Sequence, residues 1–316
     1  MRVRVARPEA GPGHGDARPR MLTVCAIMKN EGPRLQEWLT FHAIQGVERF
    51  LLYDNGSTDQ TFDVLRPWLE AGHVELVHWP DFVREGNAQY LAYAHAVCRT
   101  AATTRWLAVI DIDEFLYSPA YDTLPDALRG LEHSPAVGVF RREFGTAGRD
   151  RPFDGPVIAG YDRRLPVGAP YKAKVKSIVQ PALVSAIGSA HHFELCSGHR
   201  LHDEHGGPLE LARAARGEGV GTRLRVNHYI TRSRSEFMEK LERGTPGPRL
   251  DDRRRKYLSY YELLEREANV VDRDIQRFLP ELRTRLSGSN RGRLRLVPGD
   301  DARAGISSRR PGPRSA

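Results

Sequence analysis

Trp106-Leu107-Ala108-Val109-Ile110-Asp111-Ile112-Asp113-Glu114-Phe115 is the stretch on which the fold turns. An unbroken apolar run of this kind marks a strand buried on both faces, as at the centre of a parallel sheet. The run ends directly in two carboxylates separated by one residue. In open α/β sheets, ligands bind outside the carboxyl ends of the strands, where these acids fall. Two close carboxylates repel each other unless a cation neutralises them. Mg²⁺ or Mn²⁺ commonly takes one or two carboxylates together with substrate phosphates. The plain alternative is a pair of acids capping the next element, because D-x-D is a common spacing.

Upstream, apolar runs alternate with helical patterns, which predicts βαβ units and a parallel sheet. Leu22–Met28 reads as a buried strand. Pro33 opens a helix with Leu35, Trp38, Leu39 and His42 on one face, ending near Gly46. Phe50–Tyr53 is a second strand, and Ser57-Thr58-Asp59 caps a helix with Phe62, Leu65 and Leu69 on one side. Val74–Val77 is a third strand, and Ala88–Thr100 a helix with Leu91, Ala92, His95 and Ala96 at helical spacing. With Trp106–Ile110 as the fourth strand, the layout is doubly wound. Downstream, Thr123–Glu132 reads as a short helix and Ala136–Phe140 as a strand. A glycine- and proline-rich irregular segment follows from Gly145 to Gly168. Ser177–Val184 and Arg223–Ile230 read as strands, Ser235–Arg243 and Arg254–Asn269 as helices. No linker divides residues 21–286, so one α/β domain is expected, with a nucleotide-binding half (21–118) and an acceptor-side half (119–286).

The chain has 316 residues and a formal net charge of +8. Residues 1–20 hold five Arg and two acids, net +3, and residues 287–316 hold seven Arg and two acids, net +5. The segment 21–286 is therefore neutral, and the charge gives no reason to expect a nucleic-acid partner. Both ends are rich in Gly, Pro, Ser and Arg, and are expected to be disordered basic tails. Solvated tails are the simple expectation, with a weak peripheral contact with anionic lipid as the alternative. No apolar run approaches a membrane span, and the Arg-rich start lacks the apolar core of a signal peptide. Cys25, Cys98 and Cys196 are odd in number and widely spaced, which excludes a disulfide framework and a CxxC zinc site. A cytoplasmic location, at most peripheral to the inner membrane face, is the expectation.

Two further strand ends carry polar clusters, Lys29-Asn30-Glu31-Gly32 after Met28, and Asp54-Asn55-Gly56-Ser57-Thr58-Asp59 after Tyr53. Amides and carboxylates there can read a base edge and ribose hydroxyls, or can serve as Asx turns and helix caps. The ordered series then resembles a GT-A glycosyltransferase of the family 2-like kind, and more closely the family 92 (DUF23-like) group. It runs through Lys29-Asn30-Glu31, Glu37-Trp38-Leu39, Phe41-His42, Gly46-Val47, Tyr53 to Asp59, Gln89 and Asp111-Ile112-Asp113-Glu114-Phe115. It continues with Phe144-Gly145, Lys176-Ser177-Ile178-Val179, His191-His192-Phe193, Asn227-His228-Tyr229, Arg232-Ser233, Glu236-Phe237, Lys240 and Arg243-Gly244, about 220 residues in all.

The resemblance implies a GT-A type, mostly parallel sheet with an elaborated C-terminal half. It also implies transfer of a sugar from a nucleotide diphosphate sugar, with inversion, to a glycan or other hydroxyl acceptor. Such a reaction needs a divalent cation (Mn²⁺ or Mg²⁺) for the leaving diphosphate and a base for the acceptor hydroxyl. By resemblance Asn30, Glu31, Asn55 and Gln89 surround the nucleoside, and Asp54 and Lys176 join the nucleotide-sugar set. Asp111 faces ribose or metal-bound water, and Asp113 ligates the metal. Many family 2 relatives carry two Asp where this chain has Asp54-Asn55, so a uridine donor is an expectation only. His228, after an apolar strand, is the first candidate for a further metal ligand and His192 the second, against the ordinary role of a packed, hydrogen-bonded histidine. Arg232, Lys240 and Arg243 are placed to cover the diphosphate, or else form a solvated helix face. Glu143, where the Ala136–Phe140 strand leaves the sheet, is the first choice for the base and Glu194 the second. Pairing with Arg141 or Arg142 would depress the Glu143 pKa and make it structural. Two other classes stay open, a sugar-phosphate nucleotidyltransferase and a non-catalytic nucleotide- or glycan-binding protein.

Overall fold

The computed structural model describes residues 2–5, 20–79, 88–169, 175–189, 191–196, 198–210, 221–243 and 250–289. In chain order these form β1 (Val3–Arg4), β2 (Arg20–Met28), α1 (Gly32–Ile44), β3 (Arg49–Asp54), α2 (Thr61–Glu70), β4 (Val74–His78), α3 (Ala88–Thr100), β5 (Thr104–Val109) and β6 (Glu114–Tyr117). There follow α4 (Leu124–Leu128), β7 (Ala136–Glu143), α5 (Val157–Gly160), β8 (Arg163–Arg164), β9 (Val175–Val179), β10 (Val184–Ser189) and β11 (His192–Leu195). The last elements are β12 (Arg225–His228), α6 (Arg234–Arg243), α7 (Leu250–Glu267), β13 (Val270–Val271) and α8 (Leu279–Ser289).

An eight-stranded sheet in the order β4-β3-β2-β5-β9-β7-β12-β6 forms the frame. The strands β4, β3, β2 and β5 run parallel, as do β7 and β12, whereas β9 and β6 run against their neighbours. The expected mostly parallel α/β sheet is therefore present. Its central strand β5 is flanked by β2 and β9, which explains the unbroken apolar run. One sheet face carries Leu22, Val24, Ala108 and Ile178 against Trp38, Phe41 and Trp68. The other carries Cys25, Leu51, Leu107 and Val179 against α3 and the small β1-β10-β11 sheet. Among the described residues, no helix is long and apolar enough to cross a membrane.

Four expectations are corrected. In α2 the buried stripe is Thr61, Leu65 and Trp68, while Phe62 and Leu69 are exposed. The indole of Trp68 takes the inward position, edge-on to Phe50 with centroids 6.0 Å apart. The helix expected over Thr123–Glu132 spans only Leu124–Leu128, and Gly130 follows at φ +83°. The strand expected over Ser177–Val184 is broken after Val179 by a 3₁₀ turn at Pro181–Leu183, since proline has no N–H to give the ladder. The first residues are not a featureless tail. Val3 and Arg4 pair with Ile187 and Ala186 of β10, and Val3 and Val5 pack on the α3 side of the sheet. Residues 287–289 close α8, and the remainder of both tails lies outside the described residues.

Candidate active site

Strand register assembles the site. β5 delivers Ile110 and Asp111 at its carboxyl end, and the chain turns at once into β6, which pairs antiparallel with β12 so that Glu114 faces His228. The parallel pairing of β12 with β7 sets His228 beside Glu143. Two parallel strands and a reversed one thus converge on Asp113, whose carbonyl accepts from the Tyr229 N–H at 2.8 Å.

The side chains there form a ladder of alternating charge. The Lys176 ammonium lies 2.8 Å from Asp111 Oδ2 and 2.9 Å from Glu114 Oε2. Arg141 Nη1 donates to Glu114 Oε1 at 3.0 Å, and its Nε and Nη2 grip Glu143 Oε1 at 2.8 and 2.5 Å. Glu143 Oε2 accepts from His228 Nδ1 at 2.5 Å and from the Tyr260 hydroxyl at 2.6 Å. His228 Nε2 then lies 3.5 Å from Asp113 Oδ1, and Lys240 pairs with Asp113 Oδ2. Arg232 reaches Glu31 at 3.6 Å and contributes its charge to Asp113. Gln89 and Tyr93 of α3 close the far end, each 3.4 Å from Asp111 Oδ1.

Burial would drive each charge out of such a site, so the shifts report how well the pairs compensate. Burial pushes Asp113 up, but Lys240 and then His228 hold it well below the usual carboxylate range. For Asp111, burial is outweighed by Lys176, against the repulsion of Asp113. Glu143 is likewise held low despite burial, by Arg141 and His228. Burial and Arg141 push His228 down, yet Glu143 and Asp113 together leave it raised.

Asp111, Asp113, His228, Lys176, Lys240, Arg232, Glu31, Gln89 and Glu143 are therefore brought together. Other expected residues are occupied elsewhere. Asp54 is buried and accepts from the Gly56 and Ser57 N–H groups, so it builds its own turn. The Asn55 amide donates to the Trp79 carbonyl at 2.9 Å, tying β3 to the end of β4. Asn30 adopts φ 53°, a left-handed conformation that asparagine tolerates, and its Oδ1 accepts from the Thr58 N–H at 2.7 Å. The three polar residues stitch two loops into one wall of the crevice. His192 is exposed in β11, and Glu194 pairs with Arg2 of the N-terminal strand. Arg243 ends α6, and its side chain lies outside the described residues.

Glu143 departs furthest from expectation. One oxygen is clasped by Arg141, and the other is shared by His228 and Tyr260. No position remains for an acceptor hydroxyl, so its geometry is that of a residue orienting His228, not of a general base. Glu114, Arg141, Tyr93 and Tyr260 went unnamed as site residues on sequence grounds. Glu114 had a signal, its place directly after Asp113. Tyr260 had none, being one of several aromatics on a charged helix.

Among the described residues, no group of three His, Cys, Asp or Glu side chains surrounds a common cation position. The donor chemistry nevertheless fits a hard divalent ion. With Nδ1–H given to Glu143, His228 turns Nε2 toward Asp113, and a carboxylate behind a histidine is the usual arrangement of a metal-ligating imidazole.

The mixed sheet, with a D-x-D at the end of its central strand and a histidine delivered beside it, is the GT-A type of fold expected from the sequence. Residues 20–209 match the profile of glycosyltransferase family 92, and the chain belongs to that family. A family 92 protein of Oryza sativa subsp. japonica is 34% identical over 203 residues, 61% of this chain and 33% of the relative. One from Ricinus communis is 30% identical over 253 residues, 76% of this chain and 42% of the relative. The chain thus spans well under half the length of either. A galactan β-1,4-galactosyltransferase of Arabidopsis thaliana is 33% identical over 105 residues, 31% of this chain and 21% of the relative. Among solved structures, a mannosyltransferase from Pyrobaculum calidifontis in complex with GDP-Man and Mn²⁺ matches at 28% identity and a TM-score of 0.30, over 40% of this chain and 36% of that one.

Proposed function

We propose that this chain is an inverting, metal-dependent glycosyltransferase that moves a sugar from a nucleotide diphosphate sugar, UDP-linked by preference, to a glycan hydroxyl. The observation that carries the proposal is the meeting of Asp111, Asp113, His228, Lys176 and Lys240 at one sheet edge, in a family 92 chain. A nucleotidyltransferase is disfavoured by that family, and a non-catalytic relative by the presence of both D-x-D acids within a network of ion pairs.

In the transfer, the acceptor oxygen bonds to the anomeric carbon as the bond from that carbon to the phosphate oxygen breaks. The electron pair leaves with the nucleoside diphosphate, and the acceptor proton passes to a base. Asp113 and His228 Nε2, with Asp111 beside them, are the groups to hold Mn²⁺ or Mg²⁺, which when bound neutralises the leaving diphosphate. Glu143 fixes the His228 ring, and Arg141 keeps Glu143 ionised. Lys240 and Arg232 provide positive charge beside the diphosphate. Glu31 and Gln89 line the donor side, while Asn30, Asp54 and Asn55 hold the loops that shape it. The galactan-synthesising relatives support a polysaccharide acceptor.

Isothermal titration with UDP, with and without Mn²⁺, tests this reading. The wild-type chain should bind only with metal, and Asp113→Ala should lose most of that affinity. Metal-independent binding, or an Asp113→Ala variant as tight as wild type, would overturn it.

A further inference from the structure

A second cavity opens behind Lys176, on the face of β9 that carries Ser177. It measures about 420 Å³ and lies between the ends of β7 and β9, the β10–β11 hairpin and residues 198–209. That volume falls within the range of small-molecule sites. Phe193, Leu201 and Leu209 give it an apolar floor, and His191, His199 and Arg200 stand at its polar margin.

One of its walls leads to Asp111. Ser177 lines the cavity, while its neighbour Lys176 points to the opposite sheet face and reaches Asp111 at 2.8 Å. Phe193 stacks on Tyr93 with ring centroids 6.4 Å apart and planes 26° from parallel, and the Tyr93 hydroxyl is 3.4 Å from Asp111. The carboxylate on this wall, Glu194, is held by Arg2, so the N-terminal strand braces the hairpin from outside. An apolar floor below a margin of imidazoles and a guanidinium matches a pyranose ring. Its C–H face packs on Phe193, and its hydroxyls meet imidazoles, which donate and accept, and a guanidinium, which only donates.

We propose that this cavity is an oligosaccharide subsite that holds the acceptor glycan beside the Tyr93 wall that leads to Asp111. The inference rests on the glycosyltransferase reading above, and deepens it by locating the second substrate.

The test applies the full chain to an array of neutral and uronic oligosaccharides, alongside Mn²⁺-dependent UDP titration. Leu209→Trp fills the cavity, and the double variant His199→Ala, Arg200→Ala strips its exposed margin without entering the core. Wild type should retain one or more oligosaccharides on the array, and both variants should lose at least 10-fold in that binding while UDP affinity stays within 2-fold. Should the core not tolerate Leu209→Trp, the surface double variant alone decides. Oligosaccharide binding unchanged in that variant, or none in a wild-type chain that binds UDP, would overturn the subsite. A wild-type chain that binds oligosaccharide but not UDP would instead strike the donor reading, and so separates the two failures.

Discussion

Two stretches of the same sheet edge use the same residue types for opposite purposes. Beyond β2 and β3, Asn30, Asp54, Asn55, Ser57 and Asp59 bond backbone N–H groups and carbonyls of neighbouring loops, and their longest link spans 28 residues. Beyond β5, β7 and β12, Asp111, Asp113 and Glu143 bond charged side chains 65, 127 and 2 residues away, and Glu143 also bonds His228 at a separation of 85. A carboxylate that caps a turn has its negative charge spread over fixed peptide dipoles. One within a ladder depends on cations that other elements must deliver. The first stretch therefore shapes a crevice, and the second charges it.

The sharpest way to break this contrast is to remove the cation that serves two acids. Arg141→Met should leave Glu114 and Glu143 buried without their shared guanidinium, and cost about 3–5 kcal/mol in chemical denaturation, as for breaking other buried pairs. A loss under about 1 kcal/mol would mean that the ladder contributes little to holding the fold.

Next in size is a pH effect at His42, which joins the two regions. Its Nδ1 bonds the Trp38 carbonyl on α1 at 2.8 Å, and its Nε2 accepts from the Leu116 N–H on β6 at 3.1 Å. Burial pushes its pKa down to about 3, against the Trp38 bond. The unfolded chain takes up the proton near pH 6.5, whereas the folded chain refuses it until about pH 3. Stability from this group is therefore complete above pH 6.5 and falls as the pH drops below it, by about 2 kcal/mol at pH 5. His42→Gln should flatten that part of the stability–pH curve relative to wild type. Parallel curves would show that His42 gains its proton without unfolding.

The smallest effect belongs to the turn-building stretch. Asp54→Ala removes the acceptor for two N–H groups and should cost about 1–2 kcal/mol. UDP affinity should fall less than for Asp113→Ala in the same titration. If Asp54→Ala abolishes binding as fully as Asp113→Ala, the two stretches are not distinct.

The same contrast explains what the sequence disclosed. Strand and helix positions follow local pattern, and α3 falls where its periodicity puts it, at Ala88–Thr100. Asp111 and Asp113 were legible because a strand end announces them. Glu143 was visible as a carboxylate at a strand end, and its pairing with Arg141, two residues away, was the alternative to a role as base. Its other partners, His228 and Tyr260, come from the β7–β12 register and from a helix that begins more than 100 residues later, and neither leaves a local trace. The inward turn of Trp68 in place of Phe62 is of the same kind, a choice among apolar residues settled by the volume available beside Phe50.

The separation of the ladder's partners along the chain also sets an order in time. Asp113 and Lys240 are 127 residues apart, and Glu143 and Tyr260 are 117 apart. Closing such loops costs more entropy than joining β2 to β3, and long-range contacts form late for that reason. The parallel strands of the first half can therefore pair while the ladder's acids still face water. The docking of α6 and α7, which carry Lys240 and Tyr260, is then the step that shuts them in. A nascent chain that has emerged only as far as β9 has its scaffold and no active site, and Asp113 waits unpaired for a lysine not yet made.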